Sequence, residues 1–260
     1  MPTVVVRRPS VVHVTRTPDA RAPLTSMLDA ARALDSLAEY WPEPSARSVP
    51  RATVSRGKRA LDVALACALL AITSPVWLAV AVAIKLTTRG PVLFRQQRVG
   101  LNEVPFTMLK FRSMHFGAPE TAHEAFVTSM ITAAPTMSAI NGIHKLQEDP
   151  RITHVGRWIR RTSLDELPQL INVLRGDMSI VGPRPPLAYE VARYEAWQRE
   201  RLSVRPGITG LWQVSGRNRL SYVEMCKVDV RYVREWSFAK DLRIILRTPW
   251  AMFVERGGAS

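Results

Sequence analysis

Two adjacent carboxylates, Asp165 and Glu166, are the residues whose types and spacing are best suited to chemistry in this chain. Arg160 and Arg161 precede them, and Arg184 follows in a run of prolines. The planar guanidinium of arginine suits bidentate contacts with phosphate. The pattern therefore indicates chemistry on a phosphate, in which one carboxylate attacks phosphorus to form an acyl phosphate while the other orients it or holds a metal.

Magnesium (Mg2+) is the metal that such a pair would select, with Asp165 and Glu166 as the predicted ligands. Magnesium prefers oxygen donors and commonly binds through one or two carboxylates together with substrate phosphates. The sequence has no clustered His and Cys ligand set of the kind that binds zinc. A structural alternative stays open, because Ser163 and Glu166 have the spacing of a capping box at the start of a helix predicted over 162–174.

The proline run is predicted to hold one arginine in a defined direction. Proline fixes the φ angle, so Pro183 and Pro185 place Arg184 on a stiff backbone that could aim its guanidinium at a nucleotide or a diphosphate. An ordinary rigid turn is the alternative.

A long apolar segment runs from Val63 to Ile84, in which only Thr73 and Ser74 are polar. Its length suffices to span a bilayer, which needs about 20 residues. Ser74-Pro75 lies near its middle, where proline removes a helical hydrogen bond, and both flanks are basic. We therefore predict a re-entrant membrane helix over 56–89, broken at Ser74-Pro75, with both ends in the cytoplasm. A single-pass anchor with a proline kink is the alternative.

The composition limits the partners of the chain. A net charge of +14 and a pI near 10.8 indicate polyanions, anionic lipid head groups or phosphorylated small molecules. Cys67 and Cys226 are too few and too far apart to indicate a disulfide framework, which favours a reducing compartment. The first residues lack the apolar core of a secretory signal.

The remaining chain predicts an α+β, mostly helical fold. Residues 1–55 are rich in proline and are expected to be a largely disordered extension, and 90–260 to form a small cytoplasmic catalytic domain. Strands are expected at 91–96 and 104–111, and helices over 187–202 and 220–236. A final apolar face with arginines beside it predicts an interfacial amphipathic helix, with packing against the core as the alternative.

A series of motifs in order resembles the bacterial sugar transferases, the monotopic polyprenyl-phosphate glycosyl-1-phosphate transferases. The resemblance covers about 56–256, and its motifs include Lys58-Arg59, Ser74-Pro75, GPVLFRQQRVG at 90–100, FTMLKFRSM at 106–114, DPRITHVGR at 149–157, SLDELPQ at 163–169, RGDMSIVGPRP at 175–185 and RPGITGLWQ at 205–213. Many larger members carry several membrane helices ahead of this unit, whereas 1–57 is polar here.

The resemblance implies a reaction that the residues alone do not supply. Asp165 would attack the β-phosphate of a UDP-sugar, release UMP and form an aspartyl phospho-sugar, from which polyprenyl (undecaprenyl) phosphate would take the sugar phosphate. Glu166 would assist with the metal or the proton, Arg160 would hold phosphate, and Arg184 would lie near the nucleotide. The substrate-binding residues that match family motifs, with less defined roles, are Lys110, Arg112, Asp177, Pro183 and Pro185.

The predicted setting is the bacterial inner membrane, with the catalytic domain facing the cytoplasm and touching anionic lipid of the inner leaflet. The reaction would be the first membrane step of exopolysaccharide or other glycoconjugate assembly. Nucleic acid is not an expected partner, and the sequence leaves open whether the chain forms a homo-oligomer. The competing hypothesis is a membrane-tethered basic module that binds acidic lipid or nucleic acid without catalysis, and it rests on the net charge of +14.

Overall fold

A computed structural model describes residues 56–117, 149–215 and 220–254 of the chain. In order, its elements are α1 (Arg56–Thr87), β1 (Leu93–Val99), β2 (Pro105–Phe111), α2 (His154–Thr162), α3 (Gln169–Arg175), β3 (Ser179–Val181), α4 (Ala188–Val191), α5 (Ala196–Arg199), β4 (Gly207–Thr209), α6 (Leu211–Val214), α7 (Tyr222–Arg234) and α8 (Phe238–Val254). The prediction of an α+β, mostly helical fold is confirmed for these residues. The extension 1–55, which the sequence predicted to be largely disordered, lies outside the described residues, and so does most of the segment 116–148.

The start of α1 is tied to the body of the fold by two charged side chains. Lys58 donates from Nζ to Oδ2 of Asp241 on α8 at 2.7 Å. Asp62 is buried and accepts from the Ser179 hydroxyl at 3.0 Å and from the Ile180 backbone N–H at 2.9 Å, both on β3. A buried charge is tolerated only when it is paired in this way. The amino end of α1 is therefore anchored against β3 and α8.

The other end of α1 is anchored to β2 and α2. Ile84 packs in one buried cluster with Phe111 of β2 and Ile159 of α2. The buried guanidinium of Arg112, one residue after β2, donates from Nη2 to the hydroxyl of Thr88 at 2.6 Å. Both ends of α1 thus contact the same folded unit.

The middle of α1 is apolar and exposed. Among the described residues, α1 is the one helix that is long and apolar enough to cross a membrane, by its length and composition. Its exposed large apolar side chains are Leu69, Ile72, Val76, Leu78, Val82 and Leu86. Water is a poor surrounding for such a surface, and an apolar environment would favour it.

The helix continues through Pro75, whereas the sequence predicted that it would be broken there. Proline has no N–H, so it cannot bond to the carbonyl of Ala71 one turn earlier. The Ser74 hydroxyl donates to that carbonyl at 2.8 Å and satisfies it instead. A serine directly before the proline therefore lets the helix continue without an unpaired carbonyl.

The small sheets lie on either side of the acidic residues in sequence. β1 and β2 form an antiparallel hairpin in which Leu93 pairs with Phe111 and Val99 with Pro105. The predicted hairpin is confirmed, with its first strand starting two residues later than expected. β3 and β4 form a parallel pair that the sequence did not predict, because three residues are too few to show a period.

The core lies where α1, β2, α3, β3, α7 and α8 meet. Its fully buried members include Met108, Val173, Met178, Tyr232 and Ile244. The predicted helix over 220–236 is confirmed as α7, and the final apolar segment is helical as α8. The segment predicted as one helix over 187–202 is instead two short helices, α4 and α5, followed by a 3-10 turn.

Candidate active site

The acidic pair lies on a tight turn between two helices. Ser163 adopts the left-handed conformation, with φ of 58°, and ends α2. Asp165 and Glu166 follow in a single 3-10 turn, and α3 begins after Pro168, whose missing N–H does no harm at a helix start. The helix predicted over 162–174 therefore begins only at Gln169, as α3, and its predicted start is wrong.

The capping box that offered a structural explanation of Glu166 is not formed. The Ser163 side chain makes no capping hydrogen bond, and its carbonyl accepts from the Glu166 backbone N–H at 3.2 Å. The physical reason is that a residue in the left-handed region reverses the chain, which is incompatible with the extended backbone of an N-cap. Both carboxylates therefore stand on a turn and not in the first turn of a helix.

Two cations from distant parts of the chain reach Glu166. Lys110 Nζ of β2 and Arg184 Nη1 each lie 3.6 Å from Glu166 Oε1. The Lys110 side chain is 15% exposed, that of Glu166 is 25% exposed and that of Arg184 is 40% exposed. The cluster thus opens to solvent on the Arg184 side.

Burial lowers the pKa of Lys110 to about 8, in spite of the opposing effect of Glu166. Arg184 lowers this pKa further, and Asp165 raises it. Glu166, Arg184 and Asp165 therefore all act electrostatically on Lys110, and these four sequence-predicted residues form one site. At neutral pH the ammonium of Lys110 is charged, and it loses its proton near the alkaline end of the physiological range.

Two other predicted substrate-binding residues have contacts elsewhere. Arg112 binds Thr88 at the end of α1, and burial lowers its pKa. Asp177 accepts from Asn172 Nδ2 at 3.0 Å, and Asn172 also donates to the Thr107 carbonyl of β2 at 2.8 Å. These contacts hold the backbone around Lys110 in place. A direct role in substrate binding stays a prediction for both residues.

Arg160 is half-buried in the last turn of α2, one turn before the acidic pair. It contributes to lowering the pKa of Asp149, for which the main cause is the hydrogen bond from Arg151. The fold therefore places a guanidinium near the turn, and its predicted contact with phosphate stays a prediction.

Sequence reasoning missed two buried arginines that bind the backbone of the proline run. Arg98 Nη1 donates to the Pro185 carbonyl at 3.0 Å, and Arg201 Nη2 donates to the Arg184 carbonyl at 3.2 Å. Arg98 belongs to a motif that carries the resemblance, which was a usable signal. Arg201 stands in an amphipathic stretch with no distinguishing neighbour, and only its burial beside Asp229 reveals it.

The carboxylate pair fits a magnesium ion only in combination with substrate. Among the described residues, no group of three or more His, Cys, Asp or Glu side chains could hold a metal ion. Asp165 and Glu166 supply oxygen donors, which magnesium prefers, and phosphates and water would have to complete its shell. The donor set therefore suits an ion that arrives with a diphosphate.

Similarity to known proteins agrees with this combination of an apolar helix and an acidic turn with two cations beside it. The family model described as bacterial sugar transferase matches residues 53–255. The chain therefore belongs to the bacterial sugar transferase family.

Three relatives illustrate the range of the family. The exopolysaccharide production protein ExoY of Sinorhizobium fredii is 40% identical over 77% of this chain and 87% of its own length. The UDP-glucose:undecaprenyl-phosphate glucose-1-phosphate transferase of Caulobacter vibrioides is 42% identical over 77% of this chain and 71% of its length. The galactosyl transferase CpsE of Streptococcus agalactiae is 48% identical over 61% of this chain, but only 34% of its own length is matched.

Proposed function

We propose that this chain transfers a sugar-1-phosphate from a UDP-sugar to polyprenyl phosphate, normally undecaprenyl phosphate, and releases UMP. The observation that carries the proposal is the turn bearing Asp165 and Glu166, with Lys110 and Arg184 each 3.6 Å from Glu166. Family membership and the names of relatives such as the Caulobacter transferase support the same reaction.

In the first step, a carboxylate oxygen of Asp165 attacks the β-phosphorus of the UDP-sugar. A new bond forms between that oxygen and phosphorus, and the bond from phosphorus to the bridging oxygen breaks. The electron pair leaves with UMP, and the sugar phosphate stays on Asp165 as an acyl phosphate.

In the second step, a phosphate oxygen of the polyprenyl phosphate attacks the same phosphorus. The acyl-phosphate bond breaks, the carboxylate of Asp165 is restored, and the product is a lipid-linked diphosphate sugar. Each step exchanges one phosphorus–oxygen bond for another, so the reaction needs neither an oxidant nor a reductant.

The surrounding side chains supply charge and position, which phosphoryl transfer requires above all. Lys110 and Arg184 offset the charge of the diphosphate and of the departing UMP, and both are held by Glu166 before substrate arrives. In the absence of substrate, the negative charge of Glu166 also offsets part of the positive charge of Lys110 and Arg184. A bound magnesium ion, held by Asp165 and Glu166 with substrate oxygens, would supply further charge neutralisation.

The membrane placement proposed here is a re-entrant α1, with the catalytic domain on the cytoplasmic face of the inner membrane. It is supported by the contacts of both ends of α1 with one folded unit and by the exposed apolar middle. On α8, a line of apolar side chains at four-residue spacing is 46% to 71% exposed, and it consists of Phe238, Leu242, Leu246 and Trp250. Arg243 and Arg247 flank that line, as in helices that lie in a membrane interface.

Anionic lipid of the inner leaflet is the proposed neighbour of the start of α1. An open cleft of about 740 Å³ is lined there by Arg56, Arg59, Ala60, Val63, Ala64 and Arg205. Its arginines beside apolar side chains suit a phosphate head group next to an acyl chain, and each such cation contributes about 1 kcal/mol near an anionic surface.

The test is release of UMP from a panel of UDP-sugars incubated with the purified protein and undecaprenyl phosphate. Labelled sugar phosphate should remain on the protein when the acceptor is omitted, and Asp165→Asn should abolish both signals. Glu103→Gln is the matched control, because Glu103 is an exposed acid paired with Arg199. Turnover without any trapped label would reject the covalent route, and no UMP from any donor would reject the function.

The family assignment does not favour the non-catalytic basic module. That hypothesis expects Asp165→Asn to leave membrane binding and phenotype unchanged, which separates it from the enzyme in the same experiment. The glycan pathway is proposed to be exopolysaccharide assembly, because ExoY carries that description. The panel of UDP-sugars will identify the donor sugar.

A further inference from the structure

The segment from Pro183 to Pro186 has an unusual hydrogen-bonding pattern. Three of its four residues are prolines, which have no N–H to donate. Each of its four carbonyls accepts from a different partner, namely Gly207 N at 2.8 Å for Pro183, Arg201 Nη2 at 3.2 Å for Arg184, Arg98 Nη1 at 3.0 Å for Pro185, and Val99 N at 2.9 Å for Pro186. The segment is therefore held entirely from outside.

These contacts to the carbonyls fix the backbone angles that the proline rings leave free. Proline fixes φ, but the direction of a carbonyl depends on ψ, which proline leaves less restricted. Arg184 itself has neither angle fixed by a ring, and its carbonyl and that of Pro185 are the two that accept from arginine side chains. The backbone direction at Arg184 thus depends on Arg201 and Arg98.

Both arginines are themselves held by other side chains. Arg98 is 7% exposed, and its Nε and Nη2 donate to Gln96 Oε1 at 3.1 and 2.8 Å. Arg201 is 5% exposed and pairs with the buried carboxylate of Asp229. A second bond from Arg201 Nη1 reaches the Tyr194 hydroxyl at 2.8 Å. Each guanidinium is thereby immobilised, and one of its nitrogens donates to the proline run.

Arg184 needs such support because little else holds its side chain. It is 40% exposed, and its ion pair with Glu166 spans 3.6 Å. A half-exposed arginine retains much of its rotamer freedom, so the position of its guanidinium depends on the backbone that carries it. A displacement of about 1 Å in such a group can lower turnover about 100-fold.

We infer that Arg98 and Arg201 are positioning residues, which act through the carbonyls of Pro185 and Arg184 to aim the Arg184 guanidinium at the donor diphosphate. The inference rests on the proposed function, because Arg184 is taken to contact the substrate phosphates. Both side chains are buried and bind the backbone of the proline run, whereas Arg184 is 40% exposed.

The experiment is a double-mutant cycle on kcat/KM for UMP release, with Arg98→Gln, Arg184→Ala and the double variant. Arg98→Gln alone should lower kcat/KM between about 10-fold and 100-fold. In the Arg184→Ala background the same change should have almost no further effect, because the side chain on which it acts is gone. A purely structural role for Arg98 would lower activity by the same factor in both backgrounds.

A matched control and a milder substitution complete the design. Arg234→Gln removes an arginine that pairs with Glu200 at 2.7 Å, and it should change kcat/KM little in either background. Arg201→Lys keeps a cation beside Asp229, and in the same cycle it should also lose its effect once Arg184 is alanine. Where Arg98→Gln does not fold, Arg98→Lys replaces it, since lysine retains the charge but cannot bind Gln96 and Pro185 together.

The outcomes separate the two proposals. Wild-type turnover with equal, multiplicative effects of Arg98→Gln and Arg201→Lys in both backgrounds would overturn the positioning role and leave the function intact. No UMP release by the wild-type protein would overturn the function and the inference with it.

Discussion

Replacing Lys110 by methionine should stabilise the protein and abolish its activity. Lys110 is 15% exposed, and burial lowers its pKa from 10.5 to about 8. At 1.36 kcal/mol per pH unit, this difference means that keeping the ammonium charged in the folded state costs about 3 kcal/mol at pH 7. Methionine has a similar length and no charge, so the variant should recover most of that free energy of unfolding.

The gain should depend on pH in a defined direction. Below pH 8 the lysine is protonated in both the folded and the unfolded state, and the whole penalty is present. Between about 8 and 10.5 the unfolded state binds more protons than the folded state, so wild-type stability rises with pH. Above 10.5 the lysine is neutral in both states. The advantage of methionine is therefore largest near pH 7 and disappears toward pH 10.5.

Thermal unfolding in detergent at pH 7 and pH 10 measures this gain. For a chain of this size, about 3 kcal/mol corresponds to a rise in Tm of roughly 6 to 12 °C. Lys240→Met, which removes a lysine that pairs with Glu235 at 2.8 Å, is the control and should give no gain. The reasoning is refuted when Lys110→Met lowers Tm at pH 7, when the gain is as large at pH 10, or when UMP release persists.

Three further substitutions test contacts that stabilise the fold. Lys58→Met leaves the buried Asp241 carboxylate without its ammonium and should cost about 3 kcal/mol in chemical denaturation, whereas Lys58→Arg should cost less; equal losses would contradict the ion-pair argument. Gly207→Ala would place a Cβ 2.1 Å from the Gly182 backbone nitrogen and should cost about 3 kcal/mol or more, read as loss of folded protein; normal yield and Tm would disprove that close approach. Ser74→Ala should cost about 1 kcal/mol because a carbonyl loses its donor, while Ser74→Thr retains the hydroxyl and should restore the Tm.

The larger elements follow from patterns that the sequence displays openly. The uninterrupted apolar segment predicted α1, and turn residues between two apolar runs predicted the β1–β2 hairpin. The acidic pair and Arg184 also stand out by type. Their meeting with Lys110 depends on contacts between residues far apart in sequence, which local patterns do not encode, and only the resemblance brought them together.

The errors have identifiable physical causes. A serine followed three residues later by glutamate predicts an N-cap, but Ser163 takes the left-handed conformation that glycine more often adopts at a helix end. The polar and aromatic helical pattern over 187–202 hides a new helix start at Glu195, whose backbone N–H donates to the side chain of Gln198 at 2.7 Å. In both places a local hydrogen bond or backbone reversal prevails over periodicity.

The anchoring of α1 connects its position in a membrane to the geometry of the site. Asp62 binds β3 at Ile180, and β3 leads directly into the segment that carries Arg184. At the other end, Thr88 binds Arg112, which lies two residues after Lys110 on the same chain segment. A shift of α1 would therefore displace both cations that contact the acidic pair. We expect Asp62→Asn to lower UMP release at temperatures well below its Tm, and full activity there would show that the helix and the site are independent.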